Sequence, residues 1–355
     1  MRLSKKNIRH IIYCVLAVCI VAAISFVYML FSGNTSQKST VVIAQNSTYE
    51  QVIAEMKRQG ALENENSFRL TCKLLFYKSV KPGKYVFEKG ESNFSMVIKL
   101  RKGQHFPVKF TFNNVRTKKQ LIQKLSKYEF YFEWKDLERL LNDREFLKNY
   151  RPNGEPLKPE TVIAIFRPDT YEFYYDITAK EFFEKIYGYY VAFWTEERLA
   201  AAKETGLTPM EVCTLASIVE EENHRPKEQP RIAGLYMNRL HKDMLLQADP
   251  TVIFAIGDYS IRRVLNQHTR YESPYNTYLH KGLPPGPIRL PSTCAIDAVL
   301  HYEHHNYMYM CAKEDFSGYH NFAQTYNEHL KNARKYQNAL NKRKYKKAAR
   351  ESLPR

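Results

Sequence analysis

The chain has 355 residues, 44% of them apolar and 26% charged. These are globular proportions, which exclude disorder as the main state and a collagen-like or low-complexity build, and the length suits two domains better than one. Lysine and arginine exceed aspartate and glutamate by 17, a balance that favours nucleic acid, an acidic membrane face or an acidic polymer as surroundings.

Residues 11–31, IIYCVLAVCIVAAISFVYMLF, are almost wholly apolar, and about 20 such residues span a bilayer as a helix. Arg2, Lys5, Lys6 and Arg9 precede the run, and the residues just after it lack cations. The positive-inside bias places 1–10 in the cytoplasm, 11–31 as an anchor and the remainder outside. A cleaved signal peptide is the rival, with Val21-Ala22-Ala23 as a weak exit site, but the run continues past the usual length. A lipoprotein signal at Cys19 is disfavoured by Val18. With an external bulk, the charge no longer argues for nucleic acid.

Residues 32–40 read as a polar linker. Next, 41–105 reads as a small β-α-α-β-like unit: a strand at 41–44, a helix opened by Thr48 and closed by Gly60, a helix over 67–75, a turn at Pro82-Gly83, a strand at 84–87 and a helix over 91–100. A connecting region, 106–164, holds a strand at 108–112, an amphipathic helix over 117–127, helical sequence over 129–150 and a short strand at 163–166. A long helix is predicted over Ala179–Glu204. The main domain runs over 165–340, and 341–355 is a basic tail, frayed or disordered. The six cysteines form no CxxC pair, which argues against structural zinc. The four beyond residue 40 read as small core residues, and no metal or cofactor is called for.

Thr208-Pro209-Met210-Glu211 combines an N-cap, a proline at the first helical position and a capping box. In the helix that follows, Val212, Leu215, Ala216 and Val219 form one stripe. Relative to it, Glu221 points roughly 170° away, into solvent, while Glu220 and Glu222 lie about 90° and 70° off on opposite flanks. Three acids at a helix C-terminal end oppose the dipole, which hints at selection for function. Further on, Asp249 reads as an N-cap before Pro250, with Gly257 as the stop. Tyr275-Asn-Thr-Tyr278 precedes a rigid Pro-Gly loop, and His320 and His329 lie near the end.

Together, Leu215-Ala-Ser-Ile-Val-Glu-Glu-Glu222, Met237-Asn-Arg-Leu240, Leu246-Gln-Ala-Asp-Pro-Thr-Val252, Tyr275-Asn-Thr-Tyr278, Gly282-Leu-Pro-Pro-Gly-Pro-Ile288 and Arg167-Pro-Asp-Thr-Tyr171 resemble the MltG (YceG-like) family of endolytic murein transglycosylases. The departures are Ile163-Ala-Ile-Phe-Arg167 where the family has Glu-Gly, QADPT for QTDPT, and Glu221 where lysine is common. The resemblance implies an α+β fold with a single transmembrane helix, a small LysM-like module and a larger mixed catalytic domain, in the inner membrane with the catalytic part on the periplasmic side. It implies peptidoglycan glycan strands as substrate and cell wall synthases as company, with no nucleic acid.

One glutamate would protonate the MurNAc–GlcNAc bond and then, ionised, take the proton of the C6 hydroxyl to close a 1,6-anhydro ring. Such an acid needs a pocket that keeps it protonated near neutral pH. Alignment with the family motif gives Glu220 as the catalytic residue, although geometry does not separate it from Glu222. Glu222, Asn238, Arg239, Gln247, Asp249, Tyr275, Asn276 and His320 are candidates for support and sugar binding. A muramidase using Glu220 and Asp249, or a non-catalytic peptidoglycan-binding scaffold, are the alternatives.

Overall fold

The computed structural model describes residues 5–351, so Arg2 and the last four residues lie outside it. The chain mixes helices and strands in two compact units. Among the described residues, unit 1 comprises those up to 110, 128–133 and 171–178; unit 2 comprises 111–127, 134–170 and those from 179 on.

Unit 1 opens with α1 (Lys5–Phe31). Within it, Arg9–Phe31 is long and apolar enough to cross a membrane, and none of its apolar window is buried in the protein. Strand β1 (Ser39–Ile43), α2 (Tyr49–Arg58), α3 (Glu65–Leu74), β2 (Gly83–Phe87) and α4 (Asn93–Lys102) follow. β1 and β2 pair antiparallel, Val41 opposite Tyr85. Thr48 opens α2 as expected and closes a capping box with Gln51. Val41, Ile43, Val52, Met56, Phe68, Tyr85, Phe87 and Leu100 fill the core, since alternate strand residues and i, i+3/i+4 helix residues face it together.

The stretch expected as a linker is bonded into this unit. Asn34 is buried; its amide donates to Asn93 Oδ1 at 2.6 Å and to the Asn64 carbonyl at 3.0 Å, and its Oδ1 accepts from the Asn64 N–H at 2.6 Å. Asn93 Nδ2 donates to the Met29 carbonyl at 3.0 Å, satisfying one of the carbonyls that a helix end leaves free. Phe31 packs on Phe94 with ring centroids 5.1 Å apart.

Strand β3 (Pro107–Phe112) carries the chain across the unit boundary. In unit 2, α5 (Lys118–Leu125), α6 (Trp134–Leu140) and α7 (Arg144–Leu147) follow. The helical sequence over 129–150 is thus broken, with Asp143 capping α7. The strand expected at 163–166 is instead a 3₁₀ turn over Val162–Ile165, four buried apolar residues whose pattern cannot separate the two states. Strand β4 spans Asp169–Tyr174. The helix expected over 179–204 is two, α8 (Ala179–Phe193) and α9 (Glu196–Thr205), because the Thr195 hydroxyl accepts from the Arg198 N–H and starts a new helix.

Helix α10 (Pro209–Glu222) is the centre of unit 2. Its capping box is formed, and Val212 through Val219 are all buried. It packs on α9, α11 (Gln229–His241), α12 (Asp249–Ile256) and α13 (Thr293–Leu300). The antiparallel hairpin β5 (Tyr309–Ala312) and β6 (His320–Ala323) precedes α14 (Tyr326–Glu351). Of the two readings of the tail, a frayed helix or disorder, the described residues are helical as far as Glu351. Cys72 and Cys213 are buried as expected, but Cys294 is exposed.

Candidate functional site

The three acids at the end of α10 occupy three different environments. Glu220 Oε2 accepts the Ser292 N–H at 2.8 Å, and Glu220 Oε1 lies 3.6 Å from Arg289. Since Ser292 caps α13, Glu220 ties two core helices together. Glu221 is not in solvent, as the helix rotation suggested. It accepts from Arg116 at 2.7 Å and from Arg289 at 2.7 Å, and only 14% of its side chain is exposed. The arginines come from outside the stripe that set the expected orientation.

Glu222 lines a cleft of about 230 Å³ with Tyr236, Arg239, Gln247, Asp249, Tyr278, Cys311 and His320. Tyr236 Oη donates to Glu222 Oε1 at 2.6 Å. Desolvation raises the Glu222 carboxyl to about 7; the Tyr236 hydrogen bond opposes the rise, Asp249 adds to it, and His320 and Arg239 oppose it. A carboxyl of this kind holds a proton at neutral pH and can release it, the requirement for a general acid that later serves as base.

Asp249 is the first residue of α12, and the N-cap is Ala248. Freed from capping, the Asp249 carboxylate accepts from Tyr278 Oη at 2.6 Å, and burial raises its pKa. Arg239 is buried and structural on one side: Nε donates to the Met308 carbonyl at 2.7 Å and a terminal nitrogen to the Leu246 carbonyl at 2.8 Å. Gln247 sits at φ +49°, with its N–H on the Thr277 carbonyl at 3.0 Å. This tie fastens the 275–278 loop against the start of α12.

The structure thus gathers Glu222, Arg239, Gln247, Asp249 and His320 from the predicted set. Asn238 serves the loop before β5, donating to the His305 and Tyr307 carbonyls at 2.7 and 3.0 Å. Asn276 is fully buried and braces its own loop through the Thr269 and Tyr271 carbonyls. Tyr275 packs on Phe254. Tyr236 and Tyr278 were missed. Tyr236 stands three residues before Arg239 on one face of α11, and that spacing was the signal available.

The sequence model of the YceG-like family matches residues 41–335. A Bacillus subtilis protein named endolytic murein transglycosylase is 28% identical over 318 residues, covering 85% of each chain. A Streptococcus pneumoniae protein of the same name is 26% identical over 303 residues, 79% of this chain and 55% of that one. A crystal structure of a YceG-like protein from Listeria monocytogenes superposes with a TM-score of 0.54 at 26% identity, over 84% of this chain and 99% of that one. The chain belongs to the YceG-like family.

Proposed function

We propose that the chain is a membrane-anchored endolytic murein transglycosylase, cutting the MurNAc–GlcNAc bond of nascent peptidoglycan strands without water and leaving 1,6-anhydro ends. The observation that carries this reading is Glu222: a carboxyl raised to about 7 on the wall of a polar cleft. We give the acid–base role to Glu222 and not to Glu220, the residue the family motif indicated, because Glu220 is engaged by a helix cap and an arginine.

Protonated Glu222 gives its proton to the leaving glycosidic oxygen as the oxocarbenium-like centre develops. Ionised, and steadied by the Tyr236 hydroxyl, it accepts the proton of the C6 hydroxyl as the anhydro ring closes. Gln247, Asp249 and Tyr278 offer hydrogen bonds to sugar hydroxyl and N-acetyl groups, and Arg239 offers a cation to the lactyl or peptide carboxylate. In this reading α1 is the single-pass anchor, unit 2 is extracytoplasmic, the β1–α2–α3–β2 unit is a LysM-like glycan-binding module, and the enzyme terminates glycan elongation beside cell wall synthases.

Asp249 in the same cleft supports a second reading, a muramidase with two carboxylates. Mass spectrometry of products from purified glycan strands separates them. Anhydro ends, absent with Glu222→Gln, are expected. Reducing ends would favour the muramidase, and intact strands with the parent chain would leave a binding scaffold.

A further inference from the structure

Glu228 lies outside the cleft yet is more tightly held than any acid within it. Only 5% of its side chain is exposed. Oε1 accepts the His320 N–H at 2.8 Å, and Oε2 is 2.8 Å from His320 Nδ1. The Asn223 amide also donates to Glu228, and to the Gly318 carbonyl at 2.9 Å. Asn223 is the C-cap of α10, next to Glu222. Burial pushes the Glu228 carboxyl up, but the hydrogen bonds from His320 and Asn223 hold it below the ordinary value, so it is an anion. An anionic carboxylate only accepts. His320 Nδ1 must therefore carry a proton, and Nε2 is the nitrogen left for the cleft that His320 lines.

We propose that Glu228 is a positioning residue for the cleft: it keeps a proton on His320 Nδ1, turns Nε2 toward the substrate as a hydrogen-bonding partner for a sugar hydroxyl or N-acetyl group, and clips the β5–β6 hairpin to the helix end that carries Glu222. Two groups that act through one ring form a unit, so their substitutions do not add. The inference rests on the cleft being the glycan site.

The test is a double-mutant cycle on the full chain in detergent, with purified glycan strands as substrate and ¹⁵N-histidine spectra as a second readout. His320→Gln and Glu228→Gln each raise KM, by roughly 3- to 10-fold for a lost hydrogen bond, and the double variant is no worse than His320→Gln alone. Additive losses, or an unchanged KM in Glu228→Gln, overturn the proposal. The signal lost in His320→Gln identifies His320 in the parent spectrum, where a proton on Nδ1 is expected. A proton on Nε2 with Nδ1 bare overturns the proposal even if Glu228→Gln fails to fold. Absence of glycan cleavage by the parent chain would instead sink the functional reading and leave the tautomer result standing.

Discussion

Tyr236 Oη donates a 2.6 Å hydrogen bond to Glu222 Oε1 from the neighbouring helix α11. That bond favours the ionised carboxylate against the desolvation that raises it. Tyr236→Phe removes the donor and little volume. The Glu222 pKa then rises beyond about 7, and the basic limb of the kcat/KM profile, where the acid loses its proton, moves to higher pH by about one unit. An unmoved limb would mean that Glu222 is not the titrating acid.

Glu222→Gln keeps the shape but donates no acidic proton, so turnover falls by roughly 10²–10⁴-fold or more. Glu220→Gln leaves the chemistry in place and weakens the Ser292 cap and the Arg289 contact, with a stability cost of about 1–2 kcal/mol by denaturant melts. The reverse pattern would return the acid's role to Glu220, as the family motif implied.

The raised carboxyl also predicts a pH-dependent stability. Glu222 has an ordinary value of 4.5 and a folded value of about 7. The folded state therefore holds the proton more tightly than the unfolded state. Below pH 4.5 both states are protonated and the site costs nothing. As pH rises from 4.5 to 7 the folded state loses on the order of 3 kcal/mol. Glu222→Gln, which mimics the protonated form, should melt above the parent chain at pH 8 and level with it near pH 4. An equal difference at both pH values would contradict the assignment.

Glu221 bridges Arg116 and Arg289, the latter with 7% of its side chain exposed. Glu221→Gln leaves a buried guanidinium short of the nearer of its two counter-ions and should cost about 2–4 kcal/mol. Once the chain is folded, turnover should hold within a few-fold. A silent effect on the melt would restore the solvent-facing role expected from helix rotation.

The local signals in the sequence were reliable where one segment carries the whole cause. Thr48 caps the helix it was expected to open, and the capping box at Thr208 forms with Glu211 three positions on. The stop at Gly257 is a left-handed cap. The break at Thr195 was also legible, since Thr followed by Glu196 and Glu197 is an N-cap with an acidic first turn. It was overridden by the apolar pattern on both sides.

The acids of α10 show what a helical wheel omits. It placed Glu221 by its angle to one apolar stripe, but the side chain answers to arginines 105 and 68 residues away in sequence. Glu220 and Glu222 could not be separated, because what distinguishes them comes from α11, the 275–278 loop and β6. Asp249 was read as a cap from the proline after it, whereas Tyr278 takes its carboxylate into the cleft.

The junction between α1 and the rest of unit 1 has no slack. The Met29 carbonyl is held by Asn93, Gly33 bridges to Ser92, and Asn34 joins three segments through its side chain. A Cβ at Gly33 would come within 2.9 Å of the Gly90 backbone, so the crossing is as close as a bare glycine permits. A helix joined in this way acts as a lever and not as a leash: rotation of α1 about its axis turns the β1–α2–α3–β2 unit with it, and the reach of that unit is set by the helix.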